Sequence, residues 1–430
     1  MSATQPAWPE QFVYVCSASN AAVVNMLPIV HAGLNRVRGV VVFCGADPGK
    51  PSGDEVAQAV RPARDLQAIM DELTSGGITE AAGNFRTLYG DSGDIAQWRA
   101  NMGRVFTEFS RPDGSEHPVV FNIKGGTKEM ALGGIIGRAD DGRFILVTVR
   151  GVPLRVEQVL RDGQVALPAE GRLLTLKQHL RIYGYMEHQA TSPDLPRPEL
   201  EAWYLGNEER IRGFAEAVLP IAPRTAGFLN DKGKDCLPGK NERDFVRQEF
   251  GVPRRLAAAF DALDGFDGFT ITRDATGLPV SVAVENRHAA KFLNGNWLEA
   301  HLFLEIRRAV GGCAGVEIAA NLGICEPGKL RAAEFDVAIL VRGQLHLIEA
   351  KTGEMYSAVG QQGAERSFSQ LDSMKRALLG QVGKALIVNP RMTTAGGVLD
   401  RALRGGEELF LGPDAVTDAM ARIVQLVEGG

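Results

Sequence analysis

Short apolar runs alternate with stretches of helical spacing through the first third of the chain. Residues 12–16, 39–43, 85–89, 118–123 and 144–149 read as strands. Helical patterns lie between them: one reaching about residue 31, one over 54–73 with Val56, Val60, Leu66, Ile69 and Leu73 in step, then 95–109 and 130–138. Strands alternating with helices predict βαβ units and a parallel sheet, so residues 10–150 are expected to form a Rossmann-like α/β domain. In such sheets ligands sit at the carboxyl ends of the strands. Two stretches fall there, residues 17–20 after the first strand and 122–128 after the fourth.

Residues 151–290 are more irregular. A hairpin or extended link is expected over 151–171 and a short amphipathic helix over 175–185. Helical spacing runs over 200–219, with Trp203 and Tyr204 as packing residues. Helices are expected over 242–250 and 254–263, then a hairpin around 274–277. Short helices followed by a hairpin are compatible with a winged-helix-like middle domain, and equally with a helical spacer.

From 291 to 430 the pattern changes again. Residues 292–309 read as a helix, 315–321 as a strand, and 334–341 and 345–351 as a hairpin around Arg342-Gly343-Gln344. A helix over 363–379, with Phe368, Leu371, Met374 and Leu378 on one face, and a strand over 384–389 complete an α-β-β-β-α-β order. The chain is therefore read as α/β in three parts: a Rossmann-like 10–150, a helical or winged-helix-like middle 151–290, and an α/β part 291–430.

Composition narrows this little. At 430 residues the chain is too long for one ordinary core. Its formal net charge is −5, so a nucleic-acid site would have to be a local patch. Cys16, Cys44, Cys236, Cys313 and Cys325 form no C-x-x-C pair, which argues against a zinc site or a disulfide framework and suits a cytoplasmic setting. No apolar run is long enough to span a membrane, and residues 1–10 carry no signal-peptide pattern.

The chemistry concentrates in two places. Strand alternation puts Glu349 and Lys351 on one face, and the hairpin brings Asp336 beside them. Two carboxylates and an ammonium in an apolar sheet are costly unless something compensates, and a divalent metal would. Asp-x12-Glu-x-Lys after an apolar strand resembles the PD-(D/E)xK nuclease core, with Phe335 where a proline is nominal. The resemblance implies a metal-dependent endonuclease acting on DNA and/or RNA. Asp336 and Glu349 would be ligands of Mg2+ or Mn2+, Glu299 the helix ligand and Lys351 the catalytic ammonium. Glu334 is an accessory candidate and Gln370 a candidate contact to the site or the substrate backbone.

The second place is Asn122-Ile123-Lys124-Gly125-Gly126-Thr127-Lys128-Glu129-Met130. The glycines permit close backbone approach to a phosphate, and the following helix offers free N–H groups. The loop matches neither a Walker A motif nor a G-x-G-x-x-G fingerprint. It resembles the signature of the CARF domain, the CRISPR-associated Rossmann fold. That resemblance implies a homodimer binding cyclic oligoadenylate across its two-fold axis, with cyclic tetra-adenylate foremost. Ser17, Ser19 and Asn20 match the first ligand loop; Asn122, Lys124, Gly125, Gly126, Thr127 and Lys128 match the second. Lys124 stands where a small hydroxyl residue is usual, a departure that bears on the activator's ring size.

Asn294-Gly295-Asn296-Trp297-Leu298-Glu299 also resembles the start of the nuclease domain in CARF-nuclease effectors. The two resemblances together imply a Card-type or Can-type CRISPR ancillary nuclease. Two other readings stand beside it: a ligand-sensing CARF regulator with a DNA-binding middle domain and an inactive nuclease fold, and an ordinary restriction or repair nuclease whose N-terminal domain binds a nucleotide.

Overall fold

The computed structural model describes residues 7–18, 22–45, 66–68, 70–71, 84–91, 93–109, 111, 115–124, 126–136, 143–150, 155–160, 163–168, 175–182, 185–187, 196–220, 247–325, 333–352, 383–390 and 407–428. The chain divides into two compact units, 1–186 and 187–430. The sequence pattern places divisions near 150 and 290 instead.

In the first unit, β1 (Phe12–Ser17), β2 (Val37–Cys44), β3 (Phe85–Tyr89), β4 (Val119–Asn122) and β5 (Phe144–Arg150) are parallel neighbours. The antiparallel strands β6 (Arg155–Leu160) and β7 (Gly163–Ala166) extend the sheet, giving the order β3-β2-β1-β4-β5-β6-β7. Alternation sorts the β1 side chains to two faces. Phe12, Tyr14 and Cys16 pack with Met26, Leu27, Ile29 and Val30 of α1 (Ala22–Ala32). Val13 and Val15 pack with Trp98, Met102, Val105 and Phe106 of α2 (Ile95–Glu108) and with Met130 of α3 (Lys128–Ile136). Both faces are covered, which explains why these strands read as continuous apolar runs. The strand order reverses between β1 and β4, and Cys16 there pairs with Asn122. The expected helix over 54–73 is seen at residues 66–68 and 70–71; its remainder lies outside the described residues. The short helix expected over 175–185 is α4 (Leu176–Ile182).

The second unit joins the middle helices to the C-terminal sheet. The expected single helix over 200–219 is two, α5 (Arg197–Gly206) and α6 (Glu208–Val218), broken at Asn207. A three-stranded antiparallel sheet follows, built from β8 (Gln248–Gly251), β9 (Phe269–Arg273) and β10 (Pro279–Val284), with α7 (Ala257–Ala262) between β8 and β9. Residues 248–251 correct the helix expected over 242–250. They pair with residues 281–284 of β10, a long-range ladder that overrides local helical spacing. Residues 242–246 lie outside the described set, as do residues 225–241.

After α8 (Arg287–Lys291) a π-helical turn, Phe292–Asn296, leads into α9 (Trp297–Val310). Then come β11 (Val316–Cys325), β12 (Ala333–Val341), β13 (Gln344–Ala350), β14 (Ala385–Asn389), β15 (Glu408–Leu411) and α10 (Ala415–Glu428). The strands lie in the order β15-β14-β13-β12-β11. The helix expected over 363–379, with Gln370, lies outside the described residues.

One hydrophobic core runs through this unit. Tyr204, Ile211 and Phe214 from the middle helices share it with Trp297 and Phe303 of α9, Val337 of β12 and Ile423 of α10. The Phe214 ring meets Phe260, Phe292 and Trp297 with centroids 5.2–6.2 Å apart. A polar tie reinforces it: the Glu201 carboxylate accepts the backbone N–H of Ala320 at 2.9 Å, and Arg197 bonds both Glu201 and Glu187. Phe214→Ala should therefore destabilise the second unit by about 3–5 kcal/mol. Calorimetry checks this: the transition carrying the C-terminal sheet should fall, and the one carrying the parallel sheet should stay.

Candidate active site

β12 and β13 pair antiparallel, with Val337 opposite Ile348 as the last ladder pair on this side. The next positions outward are Asp336 and Glu349. There the ladder gives way to a side chain: the backbone N–H of Ala350 donates to Asp336 Oδ2 at 2.6 Å. Lys351 is fixed through its own N–H to the Val388 carbonyl at 2.9 Å, and its ammonium is ion-paired with the Glu349 carboxylate. Glu349 is buried; Asp336, Glu299 and Lys351 are partly so.

Glu299 comes from the first turn of α9. The π-turn before it has Gly295 at φ 137°, a conformation L side chains rarely adopt. A Cβ there would also lie 2.8 Å from Thr352 Oγ1, just past Lys351. Glycine in the Asn-Gly-Asn-Trp-Leu-Glu stretch thus brings the start of α9 against the end of β13. π-Turns of this kind concentrate at functional sites.

The electrostatics follow from that convergence. Burial, then the charges of Glu299 and Glu349, push the Asp336 carboxyl well above its ordinary range; Lys351 and the Ala350 N–H pull the other way. Burial alone would lower Lys351, but Asp336, Glu349 and Glu299 outweigh it and hold the ammonium above its ordinary value. The structure so brings together all four predicted side chains, Glu299, Asp336, Glu349 and Lys351. Glu334, the accessory candidate, sits opposite Gly323 on β11.

Among the described residues no group of three or more His, Cys, Asp or Glu side chains is assembled to hold a metal ion. The donor chemistry nevertheless fits one. Asp336 is held unfavourably against two other carboxylates, and a hard divalent cation taking oxygen ligands would relieve that, with water filling the remaining positions.

Sequence reasoning treated Tyr204 as a packing residue only. Its phenol is buried and raised well above the ordinary range, by burial first and then by Glu299 and Asp336, while a hydrogen bond with Asn296 lowers it. Asn321 was missed altogether. It lies between Ala320 and Leu322, which pair with Val337 and Phe335, so it stands across from Asp336 where the pairing skips. Its φ is 48°, in the left-handed region. Neither residue belongs to a local motif: helix docking reveals Tyr204 and the strand pairing reveals Asn321.

In the first unit, Ser17 and Asn122 end β1 and β4 side by side at the order reversal, where doubly wound sheets open a ligand crevice. Asn122 is fully buried, and its amide is committed. It donates to Tyr14 Oη at 3.0 Å and the Val24 carbonyl at 2.9 Å, and accepts the Lys124 N–H at 3.0 Å. It braces the loop from behind. Asn25 donates to the Ser17 carbonyl at 2.9 Å, and the Ser17 hydroxyl is buried with no partner among the described residues. Gly126 has φ 65°, and a Cβ there would overlap the Ser17 side chain, so the two loops close on each other only through glycine. Thr127 caps α3, its Oγ1 accepting the Met130 N–H at 3.2 Å. Lys124, Gly126 and Lys128 are exposed. Ser19, Asn20 and Gly125 lie outside the described residues. Tyr14 and Asn25 went unnoticed in the sequence because nothing local distinguishes them.

Residues 286–425 match the family model of the Card1-like endonuclease domain. No curated protein sequence matches the chain. Protein VC1899 from Vibrio cholerae shares the fold with a TM-score of 0.66 at 16% identity, over 97% of this chain and 98% of that one. Can2 from Sulfobacillus thermosulfidooxidans, solved in complex with cyclic tetra-adenylate, shares it with a TM-score of 0.59 at 16% identity, over 97% of this chain and 99% of that one. The chain therefore has the fold of these proteins along nearly its whole length, and its C-terminal part is similar to the Card1-like endonuclease domain.

The Asp336 shift has a stability consequence. With its folded pKa raised, Asp336 favours the fold while protonated. That contribution is complete below the ordinary carboxylate pKa of about 4 and is lost as pH rises through the raised folded value. In metal-free buffer Asp336→Asn should melt higher than the wild type at neutral pH, by about 2–4 °C for each kcal/mol relieved. The gap should close toward pH 4. Equal melting at every pH would show that Asp336 carries no such burden.

Proposed function

We propose that this chain, with its Card1-like endonuclease domain, is a metal-dependent nuclease of type III CRISPR defence. It cleaves phosphodiester bonds of DNA and/or RNA and is switched on by cyclic oligoadenylate, cyclic tetra-adenylate foremost. The observation that carries the reading is the convergence of Glu299, Asp336, Glu349 and Lys351 at the end of one hairpin.

Asp336 and Glu349, with Glu299, would hold Mg2+ or Mn2+. Such an ion, when bound, polarises the phosphodiester and acidifies a water that becomes the nucleophile. Lys351 stays charged and offsets the charge that develops on the attacked phosphate. The Ala350 N–H fixes the Asp336 carboxylate, so one ligand is oriented before any metal arrives.

The sensing site is the crevice between β1 and β4. Lys124, Gly126, Thr127 and Lys128 form its phosphate-facing edge, with Ser19, Asn20 and Gly125 in the same loops; the Ser17 hydroxyl is its buried donor, and Asn122 holds the second loop in place. A cyclic, symmetric activator calls for a homodimer, since one chain supplies half a pocket. Support comes from α3, which leaves the loop and exposes Leu132 at 45% and Ile136 at 49%, one helical turn apart. Activator binding biases the paired nuclease domains toward a competent arrangement.

Four outcomes test this. Asp336→Ala or Glu349→Ala should abolish cleavage of labelled nucleic acid in Mn2+ while activator binding persists; full cleavage by Glu349→Ala would discard the site. Wild-type cleavage should be low until cyclic tetra-adenylate is added, and equal rates without it would keep the nuclease but discard the switch. Lys128→Ala should weaken activator binding about 10-fold or more, as expected for losing a charge-assisted phosphate contact. For assembly, light scattering should give a dimer for the wild type and a monomer for Leu132→Glu.

A further inference from the structure

An open surface hollow lies beside the carboxylate centre. Three parts of the second unit build it. α5 supplies Trp203 and Tyr204; residues 288–296 supply His288, Lys291 and Asn296; β11 supplies Asn321. Its position is set by two links to the centre. Asn321 stands across the strand pair from Asp336, and Tyr204 bonds Asn296 while lying within the field of Glu299 and Asp336.

Its lining differs from the acidic centre next to it. A lysine, a histidine, two amides and a phenol line the hollow, with Leu200, Trp203 and Phe292 as its apolar walls, in a chain whose net charge is −5. Amides and an ammonium suit the oxygens of a sugar–phosphate backbone. The hollow is also actively held. Asn321 keeps a left-handed backbone within a strand, a conformation that costs free energy and persists at functional sites. The residue before it, Ala320, gives its N–H to Glu201 of α5, which fastens the helix carrying Trp203 and Tyr204 to β11.

We infer that this hollow is a substrate subsite: it binds the sugar–phosphate of the nucleotide adjoining the scissile phosphodiester. Lys291 takes the phosphate, and the Asn296 and Asn321 amides take the remaining backbone oxygens. Recognition through backbone oxygens is independent of base sequence. The inference rests on the nuclease reading and adds to it where the strand runs beside the metal ligands.

The test uses the full chain carrying Glu349→Gln, which binds without cleaving. With cyclic tetra-adenylate and Mn2+ present, affinity for labelled single-stranded and duplex oligonucleotides is measured by anisotropy across a salt series. Adding Lys291→Met should weaken binding about tenfold for every base sequence. It should also lower the slope of log Kd against log salt by about 0.7–0.9, one phosphate contact's worth. Lys291→Arg should restore most of the affinity. Asn321→Gly keeps the left-handed backbone but removes the amide, and should weaken binding about threefold to tenfold without changing the melting temperature. Unchanged affinity and slope in Lys291→Met, or unchanged affinity in Asn321→Gly, would overturn the subsite. Cleavage by the chain with Glu349 intact is scored separately. Its failure with every activator discards the nuclease, whereas cleavage with unaltered Lys291→Met binding discards the subsite alone.

Discussion

Three carboxylates brought within reach of one another at the end of a hairpin set the terms for the second unit. Burial and like charge both resist the ionised form of Asp336, and among the described residues a backbone N–H from Ala350 and the Lys351 ammonium oppose them. Lys351 is itself committed to Glu349. The arrangement is stable with a proton on Asp336 or a cation among the oxygens, and strained with neither. The fold tolerates unfavourable charge here, and a hard cation would relieve it.

The supports of that centre come from far along the chain. Gly295 and the π-turn bring Glu299 to the end of β13, which an uninterrupted helix would not do. The middle helices belong to the same hydrophobic core as the C-terminal sheet, and Glu201 bridges α5 to β11. Tyr204 and Asn296 therefore act as neighbours of the carboxylates. The region read from sequence as a possible spacer forms one wall of the site.

The first unit solves a different problem, that of holding two loops close at a sheet's order reversal. Buried polar groups do this. The Asn122 amide spans Tyr14, Val24 and Lys124, and Asn25 ties α1 to the end of β1. Each bond satisfies a group that would otherwise be costly to bury. Lys124, Gly126 and Lys128 are left exposed, with Thr127 capping the following helix.

The sequence alone determined the element order of the parallel sheet, the hairpin, and the four charged side chains, Glu299, Asp336, Glu349 and Lys351, that the second unit brings together. Those features depend on periodicity and spacing between near neighbours, as in the Glu349-x-Lys351 alternation and the Gly125-Gly126-Thr127-Lys128 loop. It reads 242–250 as helix, whereas residues 248–251 form a strand whose partner lies some thirty residues on. It also assigned Asn122 to the ligand face, whereas its buried side chain braces the loop. Only the tertiary structure decided that Tyr204, Asn296 and Asn321 border Asp336, or that Tyr14 and Asn25 lock the sensing loops. These residues gain their roles from strand register and helix docking. Such pairings are set by the packing of the whole core, which no local spacing along the chain records.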